Sequence, residues 1–240
     1  MEPISQERLD ALNNAQAQTT HLVEALHVDI VQVTNIVFPK TNMQPFEHVA
    51  GITKKMRIAA ENVKQYYTLD EILKHKNHIS DSVRSIVCYA IGLSDKTFEE
   101  KCELMKPLAD DDHFGVREWA WMALRHEVVA NPEKTILFFM KWAASDRPNL
   151  RRFASEITRP AGVWCVHSEF IKQNPQVGLP LLELLKNDPE KYVQNSVANW
   201  LNDIAKINPK WVLDVCGRWQ QESLKKEVVY ICNRACRNIK

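Results

Sequence analysis

The residue types best suited to chemistry in this 240-residue chain stand together in Arg151-Arg152-Phe153-Ala154-Ser155-Glu156-Ile157-Thr158-Arg159-Pro160, with Trp164 shortly after. On a helix Arg152, Glu156 and Arg159 fall at i, i+4 and i+7, which makes one stripe with Ser155 beside it. Taken alone, such a stripe is most often a salt-bridged surface. A second polar stripe follows in YVQNSVANWLNDIAK, where Asn195, Asn199, Asn202 and Asp203 stand at equivalent spacing. Consecutive helices would place these groups on one wall. There, carboxylates can stabilise a positive centre or position water, and arginines can hold phosphates without reading sequence.

Other chemistries have little support. The histidines (His21, His27, His48, His75, His78, His113, His126, His167) form no HxxxH or HExxH pair, and His75 with His78 lacks a third ligand, so no metal is expected. No GxGxxG or Walker sequence occurs, and no cofactor is expected. The six cysteines include no CxxC pair, the N-terminus has no basic segment followed by an apolar run, and no apolar stretch reaches the roughly 20 residues of a membrane span. The expectation is a reduced, soluble, cytoplasmic protein with no membrane attachment, monomeric in solution. With 31 Lys+Arg against 30 Asp+Glu, the net charge of +1 excludes a chain dedicated along its whole length to wrapping nucleic acid. Locally, residues 205–240 carry eight bases against three acids and residues 1–45 two bases against five acids, a gradient able to orient a polyanion or simply a solvated basic helix.

The elements that must position these groups read as helices. Six glycines and no Asn-Gly or Asp-Gly leave little hairpin chemistry, while apolar residues recur at helical spacing, as in Val193, Val197, Trp200, Leu201 and Ile204. Asn131-Pro132, Asn174-Pro175 and Asn208-Pro209 each precede an apolar helix, because Asn caps and Pro at the first turn has no N–H to lose. Out of phase with them run Val116-Arg117-Glu118, Leu150-Arg151-Arg152, Val193-Gln194-Asn195 and Leu224-Lys225-Lys226, each an apolar anchor with two polar residues near a helix start. Two helices per repeat at a period near 40 residues predict an all-α, HEAT-like repeat α-solenoid, one domain over 1–240. Its concave face would carry Arg117, Glu118, Arg151, Arg152, Gln194, Asn195, Lys225 and Lys226. The repeat signal fades upstream of about residue 110, and residues 1–75 read as an N-terminal helical cap, with one or two amphipathic helices over 1–38 covering the open end of the stack.

The stretches LRRFASEITRP…W and YVQNSVANWLNDIAKINPKWV resemble the signature repeats of the HEAT-like alkylpurine DNA glycosylase superfamily, the AlkC and AlkD families, with the AlkC-type pattern closer; the resemblance covers roughly residues 111–220. It implies a solenoid that binds duplex DNA by its backbone and cleaves the N-glycosidic bond of N3- or N7-alkylated purines. It further implies Glu156, Trp164 and Asp203 as the catalytic set; Arg117, Arg151, Arg152, Arg159 and Asn199 are the residues expected to meet the DNA. The AlkC-type pattern has another carboxylate one repeat earlier, where Asp112, Glu118 or neither fits. Two functions follow as expectations: a DNA alkylation repair protein acting on or binding alkylated purines, with or without catalysis, and a non-catalytic HEAT-like scaffold for a protein or nucleic-acid partner.

Overall fold

Asn-Pro steps and buried aliphatic anchors alternate along the chain, and the helices follow them. The computed structural model describes residues 4–46, 49 and 51–239, so Glu2, His48 and Lys240 lie outside the described residues. Among the described residues the regular structure is helical throughout, with no strand. The chain forms two compact units, 1–123 and 124–240, and the division falls inside one long helix.

The first unit holds α1 (Gln6–Asn13), α2 (Leu22–His27), α3 (Ile30–Val37), a 3-10 turn (Pro39–Thr41), α4 (Ile52–Tyr66), α5 (Leu69–Leu73), α6 (Asp81–Gly92), α7 (Phe98–Ala109) and the start of α8 (Phe114–Ala130). The N-terminal segment forms three short helices in place of the one or two expected. Leu12, Ile30 and Val33 are buried, whereas Leu22, Leu26 and Ile36 are exposed. Its anchor is polar: Thr19 donates its backbone N–H and its hydroxyl to the buried Asp81 carboxylate, each at 2.8 Å, and its carbonyl lies 2.6 Å from His113 Nε2. A buried carboxylate that accepts two such bonds holds a loop that little apolar area would hold.

The second unit holds the rest of α8, α9 (Pro132–Ala143), α10 (Pro148–Ile157), α11 (Glu169–Gln173), a 3-10 turn (Pro175–Gly178), α12 (Leu179–Leu185), α13 (Lys191–Ala205), α14 (Pro209–Glu222) and α15 (Lys226–Ala235). Helices α10, α13 and α15 pack side by side as one layer, and α9, α12 and α14 back them. Asn131 and Asn208 precede α9 and α14 as expected, and the Asn208 side chain accepts from Trp211 N–H. Asn174-Pro175 departs from expectation: it opens the 3-10 turn, and α12 begins only at Leu179. The turn brings Gly178 so close to Trp200 that a Cβ there would lie 2.4 Å from the indole, so the site requires glycine. Trp200 itself is fully buried and donates its indole N–H to the Thr158 carbonyl at 2.9 Å.

A periodic device lies at the helix starts. The fourth residue of α6, α8, α10 and α13 (Arg84, Arg117, Arg151 and Gln194) donates back to carbonyls five and six residues earlier, which closes the preceding loop. The residue before each, Val83, Val116, Leu150 or Val193, is buried. The repeat therefore reaches one copy farther toward the N-terminus than the sequence reading placed it. The expectation at the other end is corrected as well. Leu224 is 85% exposed ahead of α15, and the buried anchor is Val228, so Lys225 and Lys226 do not hold the inner positions given to them.

Candidate functional site

Glu156 stands in the last turn of α10, and Pro160 soon ends the chain's helical path, which leaves Arg159 just past the helix with its side chain free to turn back. The guanidinium bridges two carboxylates. Arg159 Nη1 lies 2.5 Å from Glu156 Oε1, and its Nε lies 2.9 Å from Asp203 Oδ2 on α13. The second Glu156 oxygen accepts the Ser196 hydroxyl at 2.6 Å and lies 3.5 Å from Arg152. Lys206 reaches the second Asp203 oxygen at 3.4 Å. The two carboxylate side chains are only 6% and 4% exposed, so these contacts form in a site largely closed to water.

Burial presses the Glu156 carboxyl upward, yet Arg152, Arg159 and the Ser196 hydroxyl outweigh it and hold the group below the usual carboxylate range. Burial likewise presses Arg159 downward, and the charges of Glu156 and Asp203 reverse that and raise it. Both partners are ionised at neutral pH. Glu156 is therefore suited to electrostatic stabilisation or to orienting a water, not to delivering a proton.

The end of α10 is secured by a residue that the sequence reading passed over. Arg125, 1% exposed, donates Nε to the Val166 carbonyl at 2.9 Å, Nη2 to the Arg159 carbonyl at 2.6 Å and Nη1 to the Ile157 carbonyl. It thus satisfies orphan carbonyls at a helix C-terminus and ties the following loop to them. Ser168 N–H closes that loop onto the Pro160 carbonyl at 3.0 Å. Trp164 projects from it, 50% exposed beside Val163 at 67%, with a left-handed φ of 61°. A bulky residue in that region stores strain, which persists only where the surroundings hold it.

The remaining site residues have internal partners. Arg151 binds both oxygens of Asp188 at 2.6 and 3.0 Å besides closing its loop. Arg152 is 7% exposed and lies over the Tyr192 ring at 4.7 Å as well as beside Glu156. Arg117 donates to the carbonyls of Asp111 and Asp112. Asn199, one turn before Asp203, accepts from Arg237 Nη2 at 3.1 Å. Of the candidates for a further carboxylate, Glu118 accepts the Trp121 indole N–H at 2.7 Å and Asp112 is exposed. The structure thus gathers Arg152, Glu156, Arg159 and Asp203 into one cluster with Asn199 at its edge, and it assigns Arg117 and Arg151 to loop closure. Arg125 was legible in principle: it follows Val116 by nine residues, as Arg159 follows Leu150.

Residues 118–221 match the model of a family described as DNA alkylation repair enzyme. A Bacillus subtilis (strain 168) protein, YhaZ, is 34% identical over 117 residues, which is 49% of this chain and 32% of that protein. Among solved structures, the Pseudomonas fluorescens alkylpurine DNA glycosylase AlkC, bound to DNA containing an abasic site analog, superposes with a TM-score of 0.69 at 23% identity, covering 91% of this chain and 63% of that one. AlkD2 from Streptococcus mutans gives a TM-score of 0.66 at 22% identity, covering 88% of this chain and all of that one. The chain thus spans about a third of the length of its curated relative and less than two thirds of the AlkC chain. Over 118–221 the sequence is thus similar to the DNA alkylation repair family, and over most of its length the chain shares the all-α, HEAT-like fold of AlkC and AlkD2.

Proposed function

We propose that this protein acts in DNA alkylation repair, binding duplex DNA at an N3- or N7-alkylated purine and hydrolysing its N-glycosidic bond. The observation that carries the reading is the pair of buried carboxylates, Glu156 and Asp203, joined by Arg159 inside the family-matched segment, with the strained, exposed Trp164 on the loop after α10. An alkylated purine is already cationic and departs with the electrons of the bond. What remains for the protein is to stabilise an oxocarbenium-like sugar and to orient the water that adds to it. Glu156 and Asp203 supply negative charge for that, and Trp164 supplies a ring face for the cationic base. Arg152 and Arg159 then serve the DNA by holding the carboxylate wall, with Asn199 at its edge. The reading places the protein in the cytoplasm, as a monomer and without a cofactor. Its test is release of free 3-methyladenine and 7-methylguanine from alkylated duplex DNA, which the wild-type chain should produce above the spontaneous rate.

A second reading, a non-catalytic HEAT-like scaffold for nucleic acid or protein, is favoured by one observation. Three cations, Arg152, Arg159 and Lys206, stand against the two carboxylates, so the cluster presents no net negative charge. Salt-dependent DNA binding without base release would select the DNA-binding form of that reading, and absence of DNA binding the protein-binding form.

A further inference from the structure

The register of the repeats sets α15 beside the site in a way that the family match, ending at residue 221, does not cover. In α10 the positions six and nine residues after the buried anchor Leu150 are Glu156 and Arg159. In α13, after Val193, they are Asn199 and Asn202. In α15, after Val228, they are Arg234 and Arg237. The first of these positions thus runs from acidic through neutral to basic across three neighbouring helices. Arg237 also stands two residues past the end of its helix, as Arg159 does.

The cations on this edge differ from those in the cluster. Arg159 and Arg151 are each met by carboxylates at 2.5 to 3.0 Å. Arg237 is exposed, and its guanidinium donates to neutral oxygens, the Arg234 carbonyl at 2.5 Å and Asn199 Oδ1 at 3.1 Å. Burial and the charges of Arg234 and Arg159 bear on it, with Asp203 the one carboxylate acting against them. The Nε of Arg234 is a buried donor with no hydrogen-bond acceptor in the protein. Lys206, 57% exposed, lies on the other side of Asp203 at its loose 3.4 Å contact. An exposed guanidinium and an exposed ammonium therefore border the Asn199–Asp203 edge, with one carboxylate already bound by Arg159 between them and the half-buried Arg234 close enough to act on Arg237 by its charge.

We propose that Arg234, Arg237 and Lys206 form a phosphodiester-binding edge that holds the DNA backbone next to the carboxylate wall, the part first assigned to Arg117 and Arg151. The inference rests on the DNA reading above. It explains why the internally bonded arginines can be spent on structure: the phosphate contacts lie one repeat farther on. Each phosphate neutralised by such a group releases counterions, so the site is readable as a salt slope.

The test is fluorescence anisotropy with a labelled duplex across a salt series. The Lys206→Gln, Arg234→Gln, Arg237→Gln triple variant should bind with a slope of log K against log salt about 2 to 3 smaller in magnitude than wild type, near 0.9 per cation removed. Arg234→Lys with Arg237→Lys should keep most of the slope. If the triple variant does not fold, the single exposed-residue variants Lys206→Gln and Arg237→Gln should each lower the slope by about 0.9. Salt-sensitive binding by wild type with unchanged slopes in the variants would overturn this edge and leave the DNA reading intact. Absence of salt-sensitive binding by wild type would overturn both.

Discussion

Replacing Arg159 with Met removes the one group that touches both carboxylates while keeping the apolar stem. Two buried acids then lose charge-assisted bonds of 2.5 and 2.9 Å. Breaking a buried pair by removing one partner typically costs about 3–5 kcal/mol, because the surviving charge is left under-compensated. Here Glu156 keeps Ser196 and a longer contact to Arg152, and Asp203 keeps Lys206, so the two losses do not simply double and about 3–5 kcal/mol is the expected total. For a chain of this size that corresponds to a fall in Tm of roughly 6–20 °C. The pH dependence carries the sharper signature. In wild type the Glu156 carboxyl lies below its unfolded value, so its contribution is complete above about pH 4.3 and is lost as pH falls through the lower folded value. Without Arg159 the burial effect gains ground and the carboxyl rises, so the variant recovers stability relative to wild type as the solution is acidified. Urea denaturation followed by tryptophan fluorescence from pH 7.5 to pH 4 measures the difference. A loss below about 1 kcal/mol, or one independent of pH, would refute the assignment of Arg159 as the bridge.

Three further outcomes follow from the same geometry. Glu156→Gln and Asp203→Asn should each reduce base release by about 100-fold or more while leaving duplex affinity within a few-fold, measured by single-turnover release and anisotropy. Trp164→Gly should relieve the φ of 61° and hold or raise stability by about 1 kcal/mol, yet weaken preference for alkylated over unmodified duplex, as paired melts and binding titrations would show. Arg125→Met should leave the Ile157, Arg159 and Val166 carbonyls without their shared donor, and hydrogen exchange over 158–168 should accelerate by at least tenfold.

Helix starts were legible because Asn-Pro reports a local event, a cap followed by a residue that needs no N–H, and the matching helices begin there at Pro132 and Pro209. At Pro175 the same signal gave a 3-10 turn, since the close approach of Trp200 to Gly178 is a tertiary demand that the dipeptide does not carry. The repeat register was misread at its ends for a related reason. Leu224 matches the pattern by type, but only burial distinguishes it from Val228, and Val83-Arg84-Ser85 has a small hydroxyl residue where the later copies have Glu, Arg or Asn. The site residues were legible as a stripe with a neighbouring stripe. That Arg159 would span both, and that Arg151 would turn away to Asp188, depends on where each guanidinium finds its partner. Spacing along one helix gives a column of side chains but not the loop carbonyls and the next repeat's carboxylate that compete for them.

The most direct measurement is chromatographic detection of free 3-methyladenine and 7-methylguanine after incubating alkylated duplex DNA with excess wild-type protein, with Glu156→Gln alongside. Both bases, or one of them, should appear with wild type well above the spontaneous background and remain at background with the variant. Wild-type release at background, under conditions where the duplex is shown to be bound, would contradict the catalytic claim and leave a DNA-binding scaffold.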